Sequence, residues 1–235
     1  MKKVLLVILS LVLCIGLLVG CSEKKTEQDM VMDSISYEHK GMYVGGSEDF
    51  GVAITNGSRE ITMMLDGVKG EMMDYAMITI APKKVELFAK SFKYTLVGDN
   101  GEISGECKRA VIGINHVADI MDLDKIGAIK SVKVSYDDKN LDIELKNCME
   151  GKIDARVAVE AVYNASKDDM KSLFVDGKFM AEIHAKYTID RTSEEPKYYW
   201  YVSIMNGNDS SIYALVNPDN AEVVAKKVKM NNSEK

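Results

Sequence analysis

The chain has 235 residues, 30 Lys and Arg against 36 Asp and Glu for a formal net charge of −6, 46% hydrophobic residues and only three prolines. An acidic balance offers no long-range attraction to a phosphate backbone, which argues against nucleic acid as a partner. The apolar content is that of an ordinary folded body, and the roughly 200 residues beyond the N-terminal region are enough for one large or two small cores.

Lys2 and Lys3 precede a run from Val4 to Val19 broken only by Ser10 and Gly16, and Gly20 and Cys21 follow. Charged, then apolar, then small is the order of a secretory signal, here residues 1–20. Its apolar run of 16 residues is shorter than the roughly 20 that a helix needs to span hydrocarbon. Leu18-Val19-Gly20-Cys21 resembles the lipobox of bacterial lipoproteins, whereas Cys14 follows Leu13, which is too large for the cleavage subsite. The resemblance implies that Cys21 carries the lipid and that the chain sits on the outer face of the cell membrane, anchored by acyl chains. Without Lys2 and Lys3 the mature chain has 28 basic and 36 acidic residues, a balance of 28 − 36 = −8. Residues 21–41 read as the lipidated cysteine and a flexible tether, because Ser22 to Ser34 is polar, with Met30 and Met32 as its larger apolar groups.

From Phe50 the pattern has period two: Phe50, Val52, Ile54; Ile61, Met63, Leu65; Ala76, Ile78, Ile80; Phe92, Tyr94, Leu96. Such alternation puts one face of each strand on a core. Asn56-Gly57-Ser58, residues 67–70 and Gly98-Asp99-Asn100-Gly101 supply turn formers between them. A strand within 103–112, a helical turn from Val117 to Ile126, and strands at Val132, Val134, Tyr136 and at Leu141, Ile143, Leu145 continue the series. Short strands at this spacing predict an antiparallel β-sandwich over 42–150. Residues 123–132, Leu-Asp-Lys-Ile-Gly-Ala-Ile-Lys-Ser-Val, resemble the last crossover of small Ig-like modules on lipoproteins of Gram-positive bacteria.

At Gly151 the period changes. Ile153, Val157, Ala161 and Ala165 recur every fourth residue, with Val159 and Val162 widening the stripe, and this predicts an amphipathic helix from Asp154 to Ser166. Strands follow at 173–175, 179–189, 198–205, 212–216 and 223–228. Trp200-Tyr201-Val202-Ser203-Ile204 and then Tyr213-Ala214-Leu215-Val216-Asn217-Pro218-Asp219-Asn220-Ala221-Glu222-Val223 resemble the PepSY domain, in which a Trp-led strand precedes a Tyr-led strand and a turn of Asp-Ala-x-Thr-Gly type. Here Asn217 replaces the Asp, and Asn220-Ala221 replaces Thr-Gly. In that turn Asn220 is the residue suited to a left-handed backbone. The expected whole is mostly β with an α+β C-terminal part: an Ig-like sandwich over 42–150, a PepSY-like helix and antiparallel sheet over 151–230, and a disordered tail at 231–235.

No nucleophile elbow, His-Glu-x-x-His, phosphate loop or Cys-x-x-Cys is present, so neither an enzyme nor a cofactor is expected. Tyr198, Trp200 and Tyr201 are candidates for contacting a partner, beside the plainer reading of core and surface rings. His116, Asp119, Asp122 and Asp124 are candidates for a divalent cation or small ligand, beside the plainer reading of a solvated acidic loop. Met63-Met64 and Met72-Met73 flank one hairpin and offer soft ligands or simply core filling. Cys107 and Cys148 form either an extracytoplasmic disulfide or two buried thiols. PepSY domains are associated with restraint of secreted peptidases. The resemblance therefore implies a protein- or peptide-binding modulator in the envelope, attached to the membrane through its lipid.

Overall fold

A computed structural model of the chain describes residues 25–62, 64, 66–190, 196–207 and 210–230. Residues 1–20, expected to be a secretory signal, Cys21, Met63, Leu65 and residues 231–235 lie outside the described residues. Of the described residues, 53% are in strands and 16% are helical. The chain is mostly β, as the alternation predicts.

The stretch expected to be a tether is ordered from its first described turn. Helix α1, Glu27–Asp33, begins at Thr26, whose hydroxyl accepts from the Asp29 N–H while Asp29 accepts from the Thr26 N–H. Val31, which joins Met30 and Met32 into an apolar triplet, is fully buried, and Met32 is buried with it. Average polarity misled here because a cap and one apolar turn suffice when a core is waiting. Strand β1 follows immediately and runs Ile35–Gly46, well ahead of the boundary expected at residue 42.

Strands β2 (Phe50–Glu60), β3 (Met72–Pro82), β4 (Phe92–Gly98), β5 (Glu102–Arg109), β6 (His116–Asp119), β7 (Ile129–Tyr136), β8 (Lys139–Glu144) and β9 (Lys146–Asn147) build the first core with β1. The hydrogen-bonded order is β1-β2-β3-β6-β5-β4-β7-β8. Glu102 to Cys107 of β5 pair with β4, and its last residues Lys108 and Arg109 pair with β6, so one strand passes between two facing layers. Beyond Leu145, β9 returns to pair with Tyr43 and Val44 of β1, which closes the circuit. The inward residues are the period-two sets: Phe50, Val52, Ile54, Ile78, Ile80, Phe92, Leu96, Val132 and Val134 are all 3% exposed or less. Phe50, Phe92 and Tyr136 meet with ring centroids 5.5 to 5.9 Å apart.

Two expected elements differ. The strand expected from Ile61 does not start there, since β2 ends at Glu60 and Ile61 is 55% exposed; Met63 and Leu65 of that set lie outside the described residues. The buried Glu60 carboxylate instead takes the Gly70 N–H at 2.5 Å and turns the chain. The helical turn expected from Val117 to Ile126 is strand β6 plus a short 3-10 turn, Leu123–Ile126, because residues 116–119 ladder onto Met77–Ile80 of β3.

The second core lies under β12 (Glu182–Asp190), β13 (Lys197–Met205), β14 (Ser211–Val216) and β15 (Val223–Lys229), an antiparallel meander whose β12 pairs in parallel with the start of β1. Helix α2, Ala155–Ala165, covers one face together with α1, and Asp154 caps it by accepting from the Val157 N–H at 2.9 Å. A shorter helix α3 (Lys167–Met170) leads into the two-residue hairpin strands β10 (Phe174–Val175) and β11 (Lys178–Phe179). The helix boundaries match the expectation, but its buried stripe is rotated. Ala155, Ala158, Val159 and Val162 face the sheet, while Val157 is 39% exposed. Both stripes have helical spacing; the small Ala155 and Ala158 allow the closer approach, and the Trp200 indole N–H fixes the entry by donating to Ile153 O at 3.0 Å.

Both cysteines are free and buried, Cys107 in the first core and Cys148 in the second, so they do not bridge. At the β14–β15 turn the left-handed residue is Ala221, φ +60°, and not Asn220. Asn220 instead accepts from the Glu222 N–H, and Asn217 accepts from the Asp219 N–H. A Cβ at that φ costs about 1 kcal/mol, so Ala221→Gly raises the unfolding free energy by about that amount in urea titrations at constant slope.

Candidate functional site

The three aromatic candidates do not share a surface. Trp200 is fully buried against α2, and Tyr198 lies on the same face of β13, stacked on Tyr187 at 5.6 Å and accepting from the Cys148 thiol at 3.3 Å. Tyr201 points to the opposite face and stacks on Tyr213. Strand alternation separates them, which the clustering of rings in the sequence concealed.

The acidic candidates are also dispersed as ligands. His116 is 2% exposed inside the first core, its ring 4.8 Å from that of Phe92, so it cannot reach the exposed Asp119 side. Asp122 pairs with Lys125 at 3.0 Å. Among the described residues no three His, Cys, Asp or Glu side chains are grouped to hold a metal.

What the structure brings together is a groove. Its walls are β1 at Lys40 and Tyr43, β2 at Asn56 and Arg59, β3 from Met73 to Ala76, and the end of β6 with the segment after it, which contribute Asp119, Asp122 and Asp124. The space measures about 650 Å³. Met73 of the expected methionine hairpin lies in this wall, whereas Met64 is exposed elsewhere. Lys40 and Asp74 pair across the groove at 2.9 Å, and Ser58 also donates to Asp74 at 2.6 Å. These bonds, Lys40 first, hold the Asp74 carboxyl below its usual range. Among the described residues Asn56 Oδ1 is buried without a hydrogen-bond partner. Gly41 admits it, since a Cβ there would lie 2.3 Å from that oxygen.

Beside the groove, on one face of the β12-β1-β2-β3 stretch of sheet, lies a polar cluster that the sequence did not suggest. The Tyr75 hydroxyl donates to Tyr37 at 2.7 Å, and His39 Nε2 lies 3.3 Å from the same phenol. His39 Nδ1 accepts the Tyr187 N–H at 3.1 Å, so in the neutral ring the proton sits on Nε2 and points to Tyr37. The Arg59 guanidinium covers the Tyr75 ring at 5.2 Å and the Lys186 ammonium covers Tyr37 at 4.8 Å. His184 is adjacent, with its ring 5.6 Å from Tyr37 and Nε2 4.0 Å from Glu182. Glu182, 1% exposed, accepts from the N–H groups of Asp66 and Gly67 and from the Ser36 hydroxyl, tying a loop to β12. Burial pushes its carboxyl up.

The chemistry of this cluster is that of a scaffold: both ring nitrogens of His39 are engaged, one by the backbone. No family model matches the chain. No curated protein and no solved structure matches it either. The site therefore has to be read from its own geometry.

Burial, with Lys186 adding to it, holds both His39 and His184 at a pKa of about 4, against 6.5 for a free ring. The unfolded chain takes up protons on these rings below 6.5 while the folded one resists until about 4, so stability falls as pH drops through that window. The loss is on the order of 2 to 3 kcal/mol per ring. Urea titrations at stepped pH should show this decline, and His184→Gln should remove about half of its slope; a flat profile in the parent chain refutes the assignment.

Proposed function

We propose that the chain is a membrane-anchored extracytoplasmic lipoprotein, acylated at Cys21, whose folded part is a non-enzymatic binding module for a protein or peptide partner, seated in the groove between β1, β2, β3 and residues 119–124. The observation that carries this reading is the groove itself: an apolar wall from Tyr43, Met73, Tyr75 and Met121 is interleaved with Lys40, Arg59 and the three aspartates. Apolar surface with a few fixed polar groups is the usual composition of a binding cleft. In this proposal the first core is an Ig-like sandwich whose layers share β5, and the second is PepSY-like. The left-handed Ala221 supports the latter, since it stands where the PepSY turn has glycine. By that resemblance the module restrains a secreted or envelope peptidase.

A second reading, a small-ligand receptor, is favoured by Asp119, Asp122 and Asp124 reaching the same groove. A cationic small molecule would then be the occupant, in place of a peptide.

Two measurements test the proposal. Mass spectrometry of the native N-terminal peptide should give Cys21 carrying diacylglycerol and no residues from the signal, and a free Cys21 or a retained leader removes the lipoprotein reading. A photo-reactive phenylalanine replacing Tyr75 should cross-link an envelope protein in intact cells, with none captured from the exposed Val224 on β15. Equal capture from both positions, or none, removes the groove as the partner site.

A further inference from the structure

We propose that the β5–β6 hairpin tip, residues 110–115, is a membrane-contact site that seats its apolar side chains in an anionic lipid surface. Hairpin tips in water favour Asn, Asp and Gly. Here the sequence is Ala-Val-Ile-Gly-Ile-Asn, closed by the Ala110 N–H donating to Asn115 O at 2.8 Å. Val111 is 103% exposed, Ile112 88% and Ile114 39%. Gly113, at φ +91°, has no atom within 4 Å of where a Cβ would stand, so the apex of the tip faces open space. Three exposed β-branched groups on one rigid turn are unlike the scattered apolar residues of an ordinary surface.

Their surroundings select the partner. Residues 107–118 contain no acid, although the chain as a whole is acidic. Lys108 and Arg109 stand exposed at the base of the tip, and neither is within ion-pair distance of a carboxylate among the described residues. Nearby charges cancel in pairs, Lys84 with Asp49 and Lys90 with Asp137. Val85, 77% exposed, follows the end of β3 that pairs with His116, and the acids flanking the hairpin in sequence, Glu106 and Asp119, stand on its strands beyond the basic base. An apolar point on a cationic base is the order found across a bilayer interface: hydrocarbon beneath, phosphate around. The tip is convex, so it suits a deformable apolar medium better than a rigid pocket.

This contact is separate from any N-terminal anchor. β1 starts beside α1 and ends at Gly46, next to Phe50, whose partner on β3 is Pro82, so the tip and α1 lie at opposite ends of that strand. The inference stands whether or not Cys21 is acylated.

The test uses the full 235-residue chain with Cys14→Ser and Cys21→Ser, leaving only buried thiols, and an environment-sensitive fluorophore on Ile112→Cys. With vesicles of phosphatidylcholine and phosphatidylglycerol the emission should shift to the blue, rise severalfold and be quenched by a nitroxide carried on the lipid tails. Phosphatidylcholine alone should give a smaller rise. The same fluorophore on Val224→Cys should remain in water, and Val111→Ser with Ile114→Ser should abolish the rise at position 112 without lowering the melting temperature. An unchanged emission at position 112, a shift that the lipid-borne quencher does not reach, or a shift that survives the two serines overturns the proposal. The second of these outcomes would indicate contact between copies of the chain instead of with lipid.

Discussion

Everything in this molecule depends on the two edges of β1. Along one edge it pairs with β2 from Tyr37 to Gly46. Along the other it pairs first with β12 and then with β9. The first core needs the second half of the strand to close its circuit, and the second core needs the first half to complete its sheet. Between the two partners a stretch of edge is left open, and a side chain fills it: His39 receives the Tyr187 N–H that a continued ladder would have received. On the opposite edge, where the β1–β2 register shifts between His39 and Gly41, Gly57 faces β1 without a side chain, and a Cβ there would lie 1.8 Å from Glu38 O.

That arrangement explains why the polar cluster and the groove lie side by side. Where β1 changes partner, the two cores cannot both cover it, so Tyr37, Tyr75, His39 and His184 pack against one another with cations over two of the rings. The groove opens next to them, between β1, β2 and β3. Its polar groups are held by bonds within the fold, Lys40 to Asp74 and Ser58 to Asp74, so the groove presents a pre-set pattern of charge.

Much of the fold was legible in the sequence, for a physical reason. Period-two sets such as Phe50, Val52, Ile54 and Ala76, Ile78, Ile80 report burial directly, and each proved to be a strand face. The caps of α2 were readable too, since Asp154 and Ser166 bracket it. What escaped depends on contacts remote in sequence. The polar run before residue 35 gives no hint that Val31 has a pocket to enter. Nothing local in Glu60 says that its carboxylate will stop a strand. Helical spacing alone cannot choose between the stripe at Val157 and the one at Val159, because only the opposing sheet decides. The candidate residues fared by the same rule: Asp119, Asp122 and Asp124 converge on one wall because they are close in sequence, whereas Tyr198, Trp200 and Tyr201 are divided by the pleat.

The pairing of Ile35 with Ile183 has a further consequence, for the order in which the chain can fold. The first strand to emerge during synthesis is also among the last to be completed, since its parallel neighbour is made roughly 150 residues later. Until then its N-terminal half has an unsatisfied edge, and the second core waits on a strand that the first core has already taken up. Such a topology makes the strand shared by the two cores a seam in time as well as in space: the first core can close behind it, while the last sheet forms only when residues 182–190 arrive to take its remaining edge.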